Sequence, residues 1–139
     1  MQRIILLTVL IFGGMLSTLA QNNHTITIDF TGMKSDKGSL FVALYNSKDS
    51  FLKNGYKGEI VKINEKKATV QFKDVPSGTY AVSSFHDEND NKKMDTNFFG
   101  IPKEPIGISN DAKGFMGPPK YKDAKFEVNK DTTLSINVK

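Results

Sequence analysis

The 139-residue chain contains no cysteine. That absence excludes a disulfide framework, so the core must hold by burial alone. It also excludes a thiol nucleophile and lipid attachment through an N-terminal cysteine. Histidine is scarce, with two residues in all, and neither a Gly-x-Ser-x-Gly elbow nor a His-Glu-x-x-His stretch occurs. Beyond residue 20 there is no apolar run near the roughly 20 residues that span a bilayer. Basic residues outnumber acidic ones, 19 to 15. The lysines are scattered, however, as on a solvated surface rather than the concentrated stripe of a nucleic-acid binder.

What is present begins with an order of segments typical of export. Arg3 is followed by the apolar run Ile4 to Phe12, then by small and polar residues ending Ser17-Thr18-Leu19-Ala20. This reads as a secretory signal, residues 1–20, with cleavage before Gln21 because small side chains at Thr18 and Ala20 suit a signal peptidase. The run is too short for a retained anchor. The expected mature chain, residues 21–139, has 139 − 20 = 119 residues and a net charge of 18 − 15 = +3 once Arg3 is gone. That is one domain's length, placed in the periplasm or secreted, with no membrane span after cleavage. Export argues against nucleic acid as a partner and leaves an envelope ligand or protein.

Period-two alternation dominates the mature chain. Ile26, Ile28 and Phe30 alternate with Thr25, Thr27 and Asp29, as in a strand with one face in a core. Turn residues Lys34 to Gly38 lead into the β-prone run Leu40 to Tyr45, which suggests a hairpin. Asn46 to Gly58 reads as a loop with a short helix before Gly55. Ile60 and Ile63, then Ala68, Val70 and Phe72, bracket a polar turn and suggest a second hairpin. Pro76 and Gly78 turn the chain into the strand Tyr80 to His86. Residues 124–128 and 132–138 make the last pair around Asn129-Lys130-Asp131. The expected fold is all-β: a single two-sheet antiparallel β-sandwich of about seven strands, with a long ordered loop at residues 87–123.

That loop exceeds the roughly 12–15 residues usual for an unstructured connection, and such loops tend to be functional. Its first half, Asp87 to Asp95, carries side-chain oxygens at Asp87, Asn89, Asn91 and Asp95. Alternate oxygens on a tightly curled loop converge, and the Lys93 carbonyl would add another, which suits a hard cation such as Ca²⁺. Position 6 is Lys92 instead of glycine and position 12 is Phe98 instead of a bidentate glutamate. A further ligand must then come from elsewhere, and affinity is expected to be modest, about 10⁻⁴–10⁻³ M. The rival reading is an Asx-rich turn that caps only its own backbone.

The second half alternates proline, glycine and large apolar residues from Phe98 to Tyr121, as in a loop packed by its own side chains. Burial favours Phe98, Phe99 and Ile101 as a plug for an open end of the sandwich. The alternative is a binding surface on which Phe99 and Tyr121 stack against a sugar or peptide. His24 lies close to an expected frayed terminus. His86 beside Asp87 offers the one arrangement for a base, but adjacent strand residues point to opposite faces. A hydrolase using His86 and a loop carboxylate is therefore the alternative to a non-catalytic, calcium-stabilised module.

Several stretches together carry a resemblance: Leu44-Tyr45-Asn46 with Phe51, Val75 to Ala81, Phe85 to Asn89 with Asp95-Thr96-Asn97, and Gly100-Ile101-Pro102-Lys103-Glu104-Pro105. The chain resembles the bacterial exported proteins of domain of unknown function 2141 over essentially its whole mature length. The resemblance implies a bacterial envelope origin and no activity. The Pro76-x-Gly78-x-Tyr80 turn is similar to one in prealbumin-like and immunoglobulin-like sandwiches and implies fold only.

Overall fold

In the computed structural model the described residues are 21–139; the expected signal peptide, residues 1–20, lies outside them. Eight strands run in the order β1 (Asn23–Thr31), β2 (Ser39–Tyr45), β3 (Lys57–Val61), β4 (Ala68–Pro76), β5 (Gly78–Asp87), β6 (Ile106–Ile108), β7 (Phe126–Val128) and β8 (Thr132–Asn137). One sheet is ordered β4-β1-β8 and the other β3-β2-β5-β6, with β7 pairing the start of β5. The alternating residues meet between the sheets. Ile26, Ile28 and Phe30 of β1 pack with Leu40, Val42 and Leu44 of β2, Val70 and Phe72 of β4, and Val82 of β5. Each such side chain, fully buried, contributes on the order of 1.5–3 kcal/mol.

The expected sandwich stands, but its connections differ from the expected hairpins. β1 and β2 lie in different sheets, as do β3 and β4, and β7 and β8. Turn residues dictate that the chain reverses, not whether it returns beside its own strand or crosses to the facing sheet. Met33 in the β1–β2 link and Ile63 in the β3–β4 link are both buried in the core cluster, as suits connections that cross over its end. The pair β2–β3 is a true antiparallel neighbour pair, from Leu40↔Val61 to Leu44↔Lys57. The sandwich is also not wholly antiparallel, since β1 and β8 run parallel from Ile26↔Thr132 to Thr31↔Asn137.

At the β4–β5 link the Tyr80 hydroxyl donates to the Pro76 carbonyl at 2.7 Å, locking the Pro-x-Gly-x-Tyr crossing. His24 is not frayed: it pairs with Val75 within β1, and its Nε2 lies 2.7 Å from Ser77 Oγ. The expected helix before Gly55 is a single turn, in which the Lys53 and Asn54 amides both donate to Ser50 O at 2.9 Å. The short helix α1 (Tyr121–Ala124) forms inside the stretch expected to be loop. It closes a second small cluster of Tyr45, Phe51, Ala81, Ile108 and Ala124 on the other side of the larger sheet.

Candidate functional site

β5 is the central strand that delivers His86 and Asp87 to the mouth of the long loop. Both are fully buried. The His86 amide donates to Pro105 O at 2.9 Å, so the strand end is tied to the residue where the loop returns. Its ring Nε2 stands 2.7 Å from Lys37 O. A carbonyl accepts only, so Nε2 carries the proton and straps β5 to the β1–β2 link. Nδ1 has no hydrogen-bond partner among the described residues and lies 3.6 Å from Glu88 Oε1. Gly38, at φ +68°, backs onto the same place: a Cβ there would stand 1.8 Å from Asp87 O.

From Asp87 the chain curls tightly. The Asp87 carboxylate accepts the Asn91 amide at 3.2 Å and the Lys92 amide at 3.0 Å. Asn89 Oδ1 accepts the Asn91 amide at 3.2 Å, and Asn91 Oδ1 accepts the Lys93 amide at 3.1 Å. Lys92, standing where a glycine is the usual residue, takes the left-handed conformation itself at φ +68°. A non-glycine residue there costs roughly 1–2 kcal/mol. Lys93 is exposed, and the backbone group by which it meets the network is its amide, on Asn91 Oδ1, rather than the expected carbonyl.

Asp95 closes the curl. Its two carboxylate oxygens accept Asn89 Nδ2 at 2.6 Å and Asn91 Nδ2 at 2.7 Å, which hold its carboxyl below the ordinary range. Glu104, returning from the far arm, accepts the Asp95 amide on Oε2 at 3.2 Å. Its Oε1 is buried with no hydrogen-bond partner among the described residues. Burial pushes the Glu104 carboxyl up, and the like charges of Asp95 and Asp87 add to this, against the hydrogen bond from the Asp95 amide. Glu104 is the residue that spacing alone missed. It sits 17 positions after Asp87, and the signal was the demand for a ligand from outside the nine-residue stretch.

The structure thus brings Asp87, Asn89, Asn91 and Asp95 into one network and adds Glu104. Among the described residues no group of three or more His, Cys, Asp or Glu side chains is poised for a metal ion. A cation here therefore depends on amide as well as carboxylate oxygens. The donor set fits Ca²⁺: all ligand atoms are hard oxygens, and an oxygen that accepts one amide keeps a second lone pair. A cation would displace the two amide contacts to Asp95.

The raised Glu104 carboxyl gives a pH signature in chelator. A group whose folded pKa is raised stabilises most below its unfolded value, near 4.5, and that stability is lost as pH rises through the folded value. Asp95 acts oppositely, losing its contribution as pH falls below 3.8. Denaturation across pH 4–8 is expected to show the first decline in the native protein, and Glu104→Gln is expected to flatten it.

The second half of the loop corrects the expected plug. The turn is built by Asn97, whose Oδ1 accepts the amides of Phe99 and Ile101 at 2.9 and 3.0 Å. It leaves Phe98 96% and Phe99 81% exposed, with Ile101 at 57%. Phe99 meets Phe98 edge to face at 5.5 Å. Tyr121, by contrast, is spent on packing: its ring lies 5.7 Å from Phe51, and its hydroxyl donates to Thr79 O at 3.4 Å. Phe99 and Tyr121 therefore have separate partners.

An apolar groove of about 820 Å³ lies on the outer face of the larger sheet. Its floor holds Phe41 and Phe85, stacked at 4.8 Å, and Leu52, Ile60 and Met94 line it. Met94 comes from the acidic loop, so groove and loop share a wall. The signal was in the sequence: Phe41 and Phe85 occupy the off-core phase of strands whose in-phase residues already fill the core.

A family profile described as an uncharacterised protein conserved in bacteria (DUF2141) matches residues 28–136. No curated protein matches, and no solved structure does.

Proposed function

The chain belongs to the uncharacterised bacterial family DUF2141, which supplies no activity to carry over, and we propose from the chain's own residues that it is an exported, non-catalytic, calcium-stabilised β-sandwich serving as a ligand- or partner-binding module of the cell envelope. The observation that carries the reading is the convergence of Asp87, Asn89, Asn91 and Asp95 on a curled loop met by the unpartnered oxygen of Glu104. Export rests on the pattern of residues 1–20. It delivers the loop to compartments where calcium is plentiful enough to fill a site of modest affinity.

The hydrolase alternative gains no support from geometry. The His86 ring is buried, and Nε2 is held by the Lys37 carbonyl. The apolar groove sharing Met94 with the loop supports a binding role, because small-ligand sites are concave and mostly apolar.

The test is a thermal melt of residues 21–139 in 10 mM calcium against chelator. With a dissociation constant of about 10⁻⁴–10⁻³ M, linkage gives about 1.4–2.7 kcal/mol of added stability, a rise of several degrees. An unchanged melting temperature would leave a turn that caps only its own backbone.

A further inference from the structure

We propose that the turn Asn97–Ile101 is an interfacial wedge that seats Phe98, Phe99 and Ile101 in the surface of a bilayer carrying anionic headgroups. Calcium in the adjoining loop is the condition for docking. This condition rests on the calcium reading above; the wedge itself rests on separate observations.

Five of the eight large apolar side chains exposed among the described residues fall between positions 98 and 116. A floppy loop would fold such side chains inward, but this tip is held outward by its backbone. The Asn97 amide donates to Ile101 O at 2.9 Å and the Gly100 amide to Asn97 O at 3.0 Å. With the two bonds to Asn97 Oδ1, four hydrogen bonds fix a five-residue turn. Gly100, at φ +76°, has open space where a Cβ would stand. The tip is thus ordered before it meets anything, which lowers the entropic cost of docking.

Three side chains on an exposed five-residue turn are too few for a specific protein interface, which takes about 800 Å² from each partner. A lipid surface requires no matching shape, and aromatic rings enter its headgroup–acyl boundary to a depth of about 5–10 Å.

The arms match that depth. Thr96 bridges Pro102, and the Lys103 amide donates to Asp95 O at 2.8 Å. The Lys103 rung therefore stands two residues, about 7 Å, behind the Ile101 rung. Exposed Lys103 then reaches headgroup phosphates when the rings reach the acyl boundary. Lys93 lies close enough to act on the same Asp95 carboxylate as Lys103.

Charge explains the condition. Residues 87–104 hold three lysines (92, 93 and 103) and five acids (87, 88, 90, 95 and 104), a net 3 − 5 = −2. An anionic surface repels that loop, and one Ca²⁺ brings it to zero, leaving the lysines to attract.

The test is co-sedimentation of residues 21–139 with vesicles of phosphatidylglycerol and phosphatidylcholine, or of phosphatidylcholine alone, in calcium and in chelator. Binding is expected to phosphatidylglycerol-containing vesicles in calcium, at least tenfold weaker in Phe98→Ala/Phe99→Ala and weaker in Lys103→Glu. The double variant should melt as the native protein does, because both rings are exposed. Vesicle binding that survives the double variant would overturn the wedge. So would its absence in a protein that calorimetry shows to be calcium-loaded, or a dimer that the double variant abolishes in place of vesicle binding. Ring-dependent binding that persists in chelator would support the wedge and overturn its calcium condition.

Discussion

Alanine in place of Gly38 is expected to destabilise the domain by about 2–4 kcal/mol, combining the cost of a left-handed residue with that of overpacking. The added Cβ would stand 1.8 Å from Asp87 O, 2.8 Å from Asp87 C and 3.0 Å from Glu88 Cα. All three are backbone atoms, so no side chain can swing aside to make room. Relief requires that the end of β5 move, yet the His86–Lys37 hydrogen bond pins the same two segments together. Against a total stability of about 5–15 kcal/mol, the change is large. Urea denaturation measures it, and the calcium-induced rise in melting temperature should shrink in parallel because Asp87 is displaced. Native-like stability in Gly38→Ala would show that the β1–β2 link does not brace the loop.

The strand faces were legible because burial enforces period two: Ile26, Ile28 and Phe30 announce their side whatever the topology. Pairing was not legible to the same degree. The turn Asn129-Lys130-Asp131 reads as a hairpin, but Asp131 Oδ1 accepts the Thr25 amide at 2.9 Å, and the turn carries the chain from β7 in one sheet to β8 in the other. Local turn chemistry is silent about such a partner 106 residues away in sequence. The parallel β1–β8 pair, joining the two ends of the domain, lies beyond local reading for the same reason.

In the loop, the oxygen spacing from Asp87 to Asp95 was visible because it is local, whereas Glu104 arrives through the fold. Phe98 and Phe99 show the limit of composition. Hydrophobicity alone assigns them to a core, but Asn97, a residue chosen for turns, fixes the backbone so that they face water. Tyr121 shows the reverse case, an apparent surface aromatic drawn into packing by the short helix α1.

Asp87→Ala is the second change with a large expected effect. The buried carboxylate accepts two backbone amides, at 3.2 and 3.0 Å, and hydrogen bonds to a charged acceptor are worth about 1.5–3 kcal/mol each. Relief of its repulsion with Glu104 offsets part of that loss. A net destabilisation of about 2 kcal/mol in chelator is expected, together with loss of the calcium response. Asp87→Asn keeps the side chain's volume and one acceptor oxygen, so it should fold more nearly as the native chain does while binding calcium at least tenfold more weakly.

The most direct measurement of the central claim is isothermal titration of calcium into chelator-stripped residues 21–139. One site per chain is predicted, with a dissociation constant of about 10⁻⁴–10⁻³ M, and its heat should be absent in Asp87→Ala. Heat no greater than dilution in the native protein would contradict the account.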